Sequence, residues 1–255
     1  MLLTWKDQLN MHNTCKQLQL IKPKFEYIHL SEKNSKDYTK EYEYYKFIND
    51  NFKSIGLNIV SNVYKSITIN GKVKDLYLHT PKLVFCDLSR VETFKLKLSK
   101  ISNKLDLLNT DSITNLTIRA ELMSEEIYLW LDKNLNLAKF PSVKRMVLIC
   151  EGGNFIHDIF TMVKDFKLDY LKVKGISNYS INVLPEVKKL HLVKFDDLVD
   201  ISRIQVEKLI LDNRFRRINI NTSAQIGEVE IKNNNYKNIK LVMSKFDNVV
   251  LNNVH

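Results

Sequence analysis

Val187-Lys188-Lys189-Leu190-His191-Leu192, Val206-Glu207-Lys208-Leu209-Ile210-Leu211, Ile226-Gly227-Glu228-Val229-Glu230-Ile231 and Phe246-Asp247-Asn248-Val249-Val250-Leu251 are four copies of one six-residue pattern, apolar at its first, fourth and sixth positions. Their middle anchors, Leu190, Leu209, Val229 and Val249, fall 19 or 20 residues apart. Self-similarity at a fixed period near twenty residues predicts a solenoid, in which each unit buries its apolar side only against its neighbours.

The same pattern runs upstream. Tyr64-x-x-Ile67-x-Ile69, Val73-x-x-Leu76-x-Leu78, Val91-x-x-Phe94-x-Leu96, Ile113-x-x-Leu116-x-Ile118, Val143-x-x-Met146-x-Leu148 and Leu168-x-x-Leu171-x-Val173 precede the four regular copies. Middle-anchor spacings from Ile67 to Leu190 are 9, 18, 22, 30, 25 and 19. The short first spacing contains Asn70-Gly71, a dipeptide suited to a type I′ hairpin turn, so 66–78 reads either as a hairpin or as two sides of one rung. Ile218-x-Ile220 and Ile239-x-Leu241 favour rungs with strands on both sides. A twenty-residue rung with two corners leaves space only for short strands, turns or 3₁₀ pieces opposite the main strand.

The two widest spacings predict helical insertions. In 124–135, Ser124 is an N-cap candidate, Glu125 and Glu126 occupy the first turn, and Ile127, Leu129 and Leu131 are expected inside. Asn154 is the corresponding cap for 155–166, with Ile156, Ile159, Phe160 and Val163 as its apolar stripe. Gly152-Gly153 is a turn, with no Lys-Ser/Thr after it to suggest a phosphate loop.

Ahead of the repeats, Leu18-Gln19-Leu20 and Ile28-His29-Leu30 read as irregular first rungs or part of a cap. Tyr44, Phe47, Ile48, Phe52 and Ile55 recur at helical steps and predict a helix over 36–55, with Gly56 as its C-cap. The expected division is therefore an amino-terminal cap with a helix over 1–62 and one continuous solenoid over 63–255. Such a helix covers the open apolar end of a stack. It could instead dock another protein, but 1–60 holds no F-box-like Leu-Pro signature.

The repeat φ-x-x-φ-x-φ resembles the leucine-rich repeat family, and Leu184-Pro185-Glu186-Val187-Lys188-Lys189-Leu190-His191-Leu192 is similar to its short, roughly twenty-residue subclass. The resemblance covers residues 64–254. It implies an α/β solenoid whose short parallel strands line a concave sheet, with short strands or turns on the convex side. The family's usual asparagine, three residues after the last anchor, appears clearly at Asn234; Glu121, Glu151, Ile176, Phe195, Arg214 and Val254 stand there in other copies. The corners then need other partners, because buried backbone polar groups rarely go unpaired. A parallel β-helix is the structural alternative.

Alternate residues of a strand face opposite ways, so residues flanking the anchors belong to the face opposite the core. Between 91 and 211 they include Lys95, Lys97, Arg119, Arg145, Lys172, Lys174, Lys189 and Lys208, interspersed with Tyr170 and His191. Asp75, Asp212, Glu228 and Glu230 border them. This arrangement predicts a basic face that binds an acidic protein surface. The alternative is a nucleic-acid scaffold, since phosphates need only a basic surface. Tyr77 and Tyr170 alone supply aromatics for base stacking, and no RNP, KH, zinc-finger or helix-turn-helix motif is present. A solvated sheet face guarded by lysine is the blander reading.

Composition is compatible with a binding scaffold without demanding one. The 255 residues are 44% hydrophobic and 27% charged, with 39 Lys+Arg against 29 Asp+Glu and a formal net charge of +10. Basic charge favours anionic partners, although an AT-rich genome also enriches Lys, Asn and Ile together. Cys15, Cys86 and Cys150 are odd in number and widely spaced, with no metal-binding or disulfide framework, which suggests reduced thiols. No secretory leader or stretch of ~18 apolar residues is evident, so an intracellular, cytoplasmic protein with no membrane association is expected.

Catalytic spacing is missing. His12, His29, His79, His157, His191 and His255 form no HxxxH or HExxH motif and read as surface histidines. No GxSxG or protease-like cysteine context occurs. The expectation is a non-enzymatic scaffold without cofactors, acting as the recognition subunit of a complex such as a ubiquitin-ligase adaptor, or as a pathogen effector. Only four residues follow Phe246–Leu251, too few for a conventional cap. Dimerisation through that rung, self-capping, or a chain cut from a longer protein would each answer this.

Overall fold

Successive apolar anchors lie side by side across parallel strands. In the computed structural model the register aligns Leu76 with Phe94, Phe94 with Leu116, Leu116 with Met146 and Met146 with Leu171. It continues through Leu190, Leu209, Val229 and Val249. The described residues are 27–31, 53–60, 66–68, 72–79, 85–98, 105–120, 124–150, 159–175, 184–193, 205–212, 218–222, 226–232, 239–243 and 246–252.

Eleven strands form the main sheet. In chain order these are β1 (Tyr27–Ser31), β2 (Lys53–Val60), β4 (Lys72–His79), β6 (Thr93–Leu98), β8 (Asn115–Ala120), β9 (Arg145–Cys150), β10 (Lys167–Lys174), β11 (Glu186–Val193), β12 (Val206–Asp212), β14 (Ile226–Lys232) and β16 (Phe246–Asn252). Their spatial order is their sequence order, and all pairings are parallel.

Smaller parallel sheets join segments between the main strands. β3 (Ser66–Thr68), β5 (Phe85–Asp87) and β7 (Asp106–Leu108) form one; β13 (Ile218–Thr222) and β15 (Ile239–Met243) form another. The described residues form a parallel β-solenoid with little helix among them. The hairpin expectation for 66–78 is corrected: β3 pairs with β5, whereas β4 joins β2 and β6. The choice turns on pairing a rung away, which local turn chemistry cannot reveal.

The predicted amino-terminal helix is also corrected at its end. Residues 53–60 form β2, with Leu57 aligned to Leu76 and Ile59 to Leu78. Gly56 is therefore within a strand instead of capping a helix. Ile55, Leu57 and Ile59 alternate as a strand, and this competes with the helical spacing of Phe52 and Ile55. The rest of the expected helix, 36–52, lies outside the described residues. β1 and β2 carry the parallel sheet upstream of residue 63. Ile28 and Leu30 of β1 align with Leu57 and Ile59.

The two widest spacings contain α1 (Glu125–Asn134) and α2 (Ile159–Val163). Ser124 Oγ accepts from Ile127 N–H at 3.3 Å, capping α1. Its inward face contains Ile127, Trp130, Leu131 and Asn134. Leu129, expected inside, is 55% exposed. Residues 127, 130, 131 and 134 share one helical face, whereas 129 points away. Trp130 Nε1–H donates to the Leu105 carbonyl at 2.8 Å, so the helix is tied to the preceding rung. In and after α2, Phe160, Val163 and Phe166 are buried; its proposed cap Asn154 lies outside the described residues.

The core is the continuous stack of anchors from Leu76 to Ile231. Fully burying one such side chain stabilises by about 1.5–3 kcal/mol relative to exposure. No helix among the described residues is long and apolar enough to cross a membrane.

Main-chain bonds close the corners entering β8, β9 and β10. The Glu92 carbonyl accepts from Thr114 N–H and Asn115 N–H at 2.9 and 3.1 Å. Thr114 O likewise accepts from Lys144 and Arg145 at 2.9 and 3.1 Å, and Lys144 O from Asp169 and Tyr170 at 2.8 and 3.2 Å. One carbonyl thus serves two donors in the following rung. At the end of β10, Gly175 has φ +87° and donates to Val193 O at 3.1 Å. A Cβ there would lie 1.7 Å from Cys150 O, so both backbone conformation and close approach require glycine.

Candidate functional site

Three residues of each of β6, β8, β9 and β10 lie on the face opposite the core: one before the middle anchor, one between the last two anchors, and one after them. On β6 they are Thr93, Lys95 and Lys97; on β8, Asn115, Thr117 and Arg119. On β9 they are Arg145, Val147 and Ile149; on β10, Tyr170, Lys172 and Lys174. Six of these twelve positions are Lys or Arg and none is Asp or Glu. The buried anchors between them fix their direction, as the alternating burial shows.

The register arranges the outer residues into rows across the strands. Lys95, Thr117, Val147 and Lys172 form one row. Lys97, Arg119, Ile149 and Lys174 form the next. Arg145 lies 4.9 Å above the Tyr170 ring centroid, and Lys189 lies 5.9 Å from it. Both distances are within range of cation–π attraction. Carboxylates occur at the rim where the strands begin: Asp169 bonds Lys188 at 2.9 Å, and Lys167 pairs with Glu186 at 3.1 Å.

Farther along the same face the chemistry changes. Lys208 Nζ donates to Glu228 Oε1 at 2.6 Å and lies 3.1 Å from Glu230 Oε2. Glu228, then Glu230, hold the Lys208 ammonium above its ordinary pKa. Lys232 contacts Glu230 at 3.3 Å. The sequence-derived group is therefore not uniform. Lys95, Lys97, Arg119, Arg145, Lys172 and Lys174 occupy outward positions of β6, β8, β9 and β10, Tyr170 and Lys189 mark the boundary of that sector, and Lys208 belongs to an ion-paired cluster.

His191 departs from its expected surface position and is 7% exposed. Its neighbours Val193 and Ile210 are buried on the same outer side. His191 Nδ1 is 3.0 Å from the Tyr170 hydroxyl, while Nε2 has no hydrogen-bond partner. Asp212 Oδ2 is 4.0 Å from Nε2, beyond hydrogen-bonding range. Burial, followed by the Lys172 charge, lowers the His191 pKa from 6.5 to about 4, with Asp212 opposing. Burial raises the Tyr170 pKa, and Arg145 partly offsets that effect.

Cys86 and Cys150 are free thiols, and Cys15 lies outside the described residues. Burial drives Cys86 far upward and Cys150 up to about 12. Among the described residues, no group of three or more His, Cys, Asp or Glu side chains is arranged to hold a metal. The sequence reading located the cations but missed Val147 and Ile149 between them, although their outward phase was readable from Met146 and Leu148. No family model, curated protein or solved structure matches the chain.

Proposed function

We propose that this protein is a non-enzymatic interaction scaffold that binds an acidic protein surface on the outer face of β6, β8, β9 and β10. The carrying observation is its set of six Lys/Arg residues without a carboxylate at the twelve outward positions. In the sector around Lys208, similar cations are already engaged by Glu228 and Glu230. A surface rich in Lys and Arg attracts anionic partners and steers their approach. In this reading the scaffold is the recognition subunit of a larger complex, such as a ubiquitin-ligase adaptor, or a pathogen effector, working without a cofactor in the cytoplasm.

Kinship with the leucine-rich repeats is part of the proposal, supported by the six-position pattern and its parallel register. The paired strands opposite the main sheet favour the parallel β-helix variant of this architecture. Nucleic acid is the second partner class, because Arg145 and Tyr170 combine a cation with a half-buried aromatic ring.

The test is capture from cell lysate with and without nuclease, comparing the native chain with a Lys95/Lys97/Lys172/Lys174→Glu variant. Charge-dependent capture that survives nuclease supports the protein-binding reading. Equal capture by both chains overturns it, while nuclease-sensitive capture favours nucleic acid. A homodimer through β16 is a separate proposal, and a monomeric mass by light scattering refutes it.

A further inference from the structure

We infer that the favoured ligand is an extended peptide with the order acidic–x–apolar–x–acidic, lying across the strands along the row Lys95–Thr117–Val147–Lys172. This inference rests on the basic-face reading and specifies its partner. The row contains one cation at each end and an apolar residue within it, with Ile149 two residues beyond Val147 on the same strand. Val147 and Ile149 are half-buried, leaving part of each side chain available on the outer face.

Length decides the ligand pattern. Lys95 and Lys172 stand on strands three places apart, a separation of roughly 14 Å at about 4.8 Å per strand spacing. An extended chain advances about 3.4 Å per residue, so positions i and i+4 are also roughly 14 Å apart. Residues i, i+2 and i+4 share one side of such a chain. Acidic residues at the two ends therefore meet Lys95 and Lys172, while the apolar residue at i+2 falls over Thr117 and Val147. A uniformly acidic ligand satisfies the lysines but places charge against Val147 and Ile149, where water is displaced without compensation. A ligand with the central apolar residue covers them.

The test uses capped synthetic peptides and the full chain in fluorescence anisotropy at low salt. One peptide contains Glu-Ser-Leu-Ser-Glu and another the same residues as Glu-Glu-Ser-Ser-Leu; oligoglutamate and oligothymidylate provide polyanion controls. Native protein is expected to favour the first peptide over the second by about tenfold. Val147→Thr/Ile149→Thr should remove that preference. Equal affinity for the two peptide orders overturns the inference but leaves the basic-face reading standing. Retained peptide affinity in Lys95→Glu/Lys172→Glu overturns both, as does preference for oligothymidylate over every peptide. The comparison of peptide orders needs only the native chain, so poor folding of a variant cannot obscure the result.

Discussion

Strands β6, β8, β9 and β10 and strands β12 and β14 share one parallel ladder and one apolar core, yet their outer faces differ. Upstream, six of the twelve residues flanking the middle and last anchors are Lys or Arg, and the exposed carboxylate of Asp169 stands at the rim. Downstream, Lys208 is held by Glu228 and Glu230, and Lys232 also meets Glu230. The anchors impose the same backbone on both sectors, but they do not constrain the opposite face. Charge is therefore distributed unevenly along one face, and net charge alone misses this difference.

The strongest challenge to the comparison tests whether its two sectors share a cooperative core. Phe94→Ala should cost about 3–5 kcal/mol and Leu209→Ala about 2–5 kcal/mol in urea unfolding, since both side chains are fully buried. A silent substitution in either sector would break the common-core premise. Gly175→Ala, at the β10–β11 boundary, should cost roughly 3 kcal/mol through positive φ and the clash with Cys150 O. Gly227→Ala should cost less: its added Cβ would meet Glu207 O at 2.9 Å, without the positive φ found at Gly175. Equal unfolding shifts would remove the special role assigned to the boundary.

Binding sharpens the contrast further. Lys95→Glu/Lys172→Glu should reduce oligoglutamate affinity by about tenfold, equivalent to 1.4 kcal/mol. Lys208→Gln should change it less than twofold, on the order of a few tenths of a kcal/mol, because that cation already has two acidic partners. Anisotropy titrations across a salt series would expose equal sensitivity, which the comparison forbids.

A pH series tests the boundary from another direction. Tyr170, Lys172, Asp212, Glu230 and Lys232 surround or influence His191. Its pKa falls from 6.5 to about 4 in the folded chain, so the unfolded chain binds more protons between those values. Its contribution to stability is present above about 6.5 and is lost as pH falls toward 4. Urea midpoints should decline across this window in the native chain and decline less in His191→Phe. Parallel profiles would remove His191 from the explanation. The smallest expected effect belongs to Glu228→Gln, which should cost about 0.2–1 kcal/mol in urea because the Lys208 pair is partly exposed.

The main ladder was legible because buried anchors recur in one phase from Leu76 to Ile231. That phase also placed Lys95, Arg119, Lys172 and Glu228 on the outer face. Strand pairing between rungs was less legible: β3, β5 and β7 are only three residues each, and their shared sheet depends on contacts around the solenoid. Leu129 and Trp130 show how a one-residue error in helical phase exchanges inside for outside. His191 was assigned the correct strand face, but neighbouring rungs determine its burial. Alternation supplies a direction and cannot by itself supply exposure.

The shared carbonyls at Glu92, Thr114 and Lys144 have a consequence for divergence. Acidic, hydroxyl and basic residues perform the same corner closure because the main chain makes the bonds. Substitutions at these corners can accumulate while the rungs keep their pairing. Ancestry can then persist as an interval between apolar residues after the identities of the residues between them have drifted away.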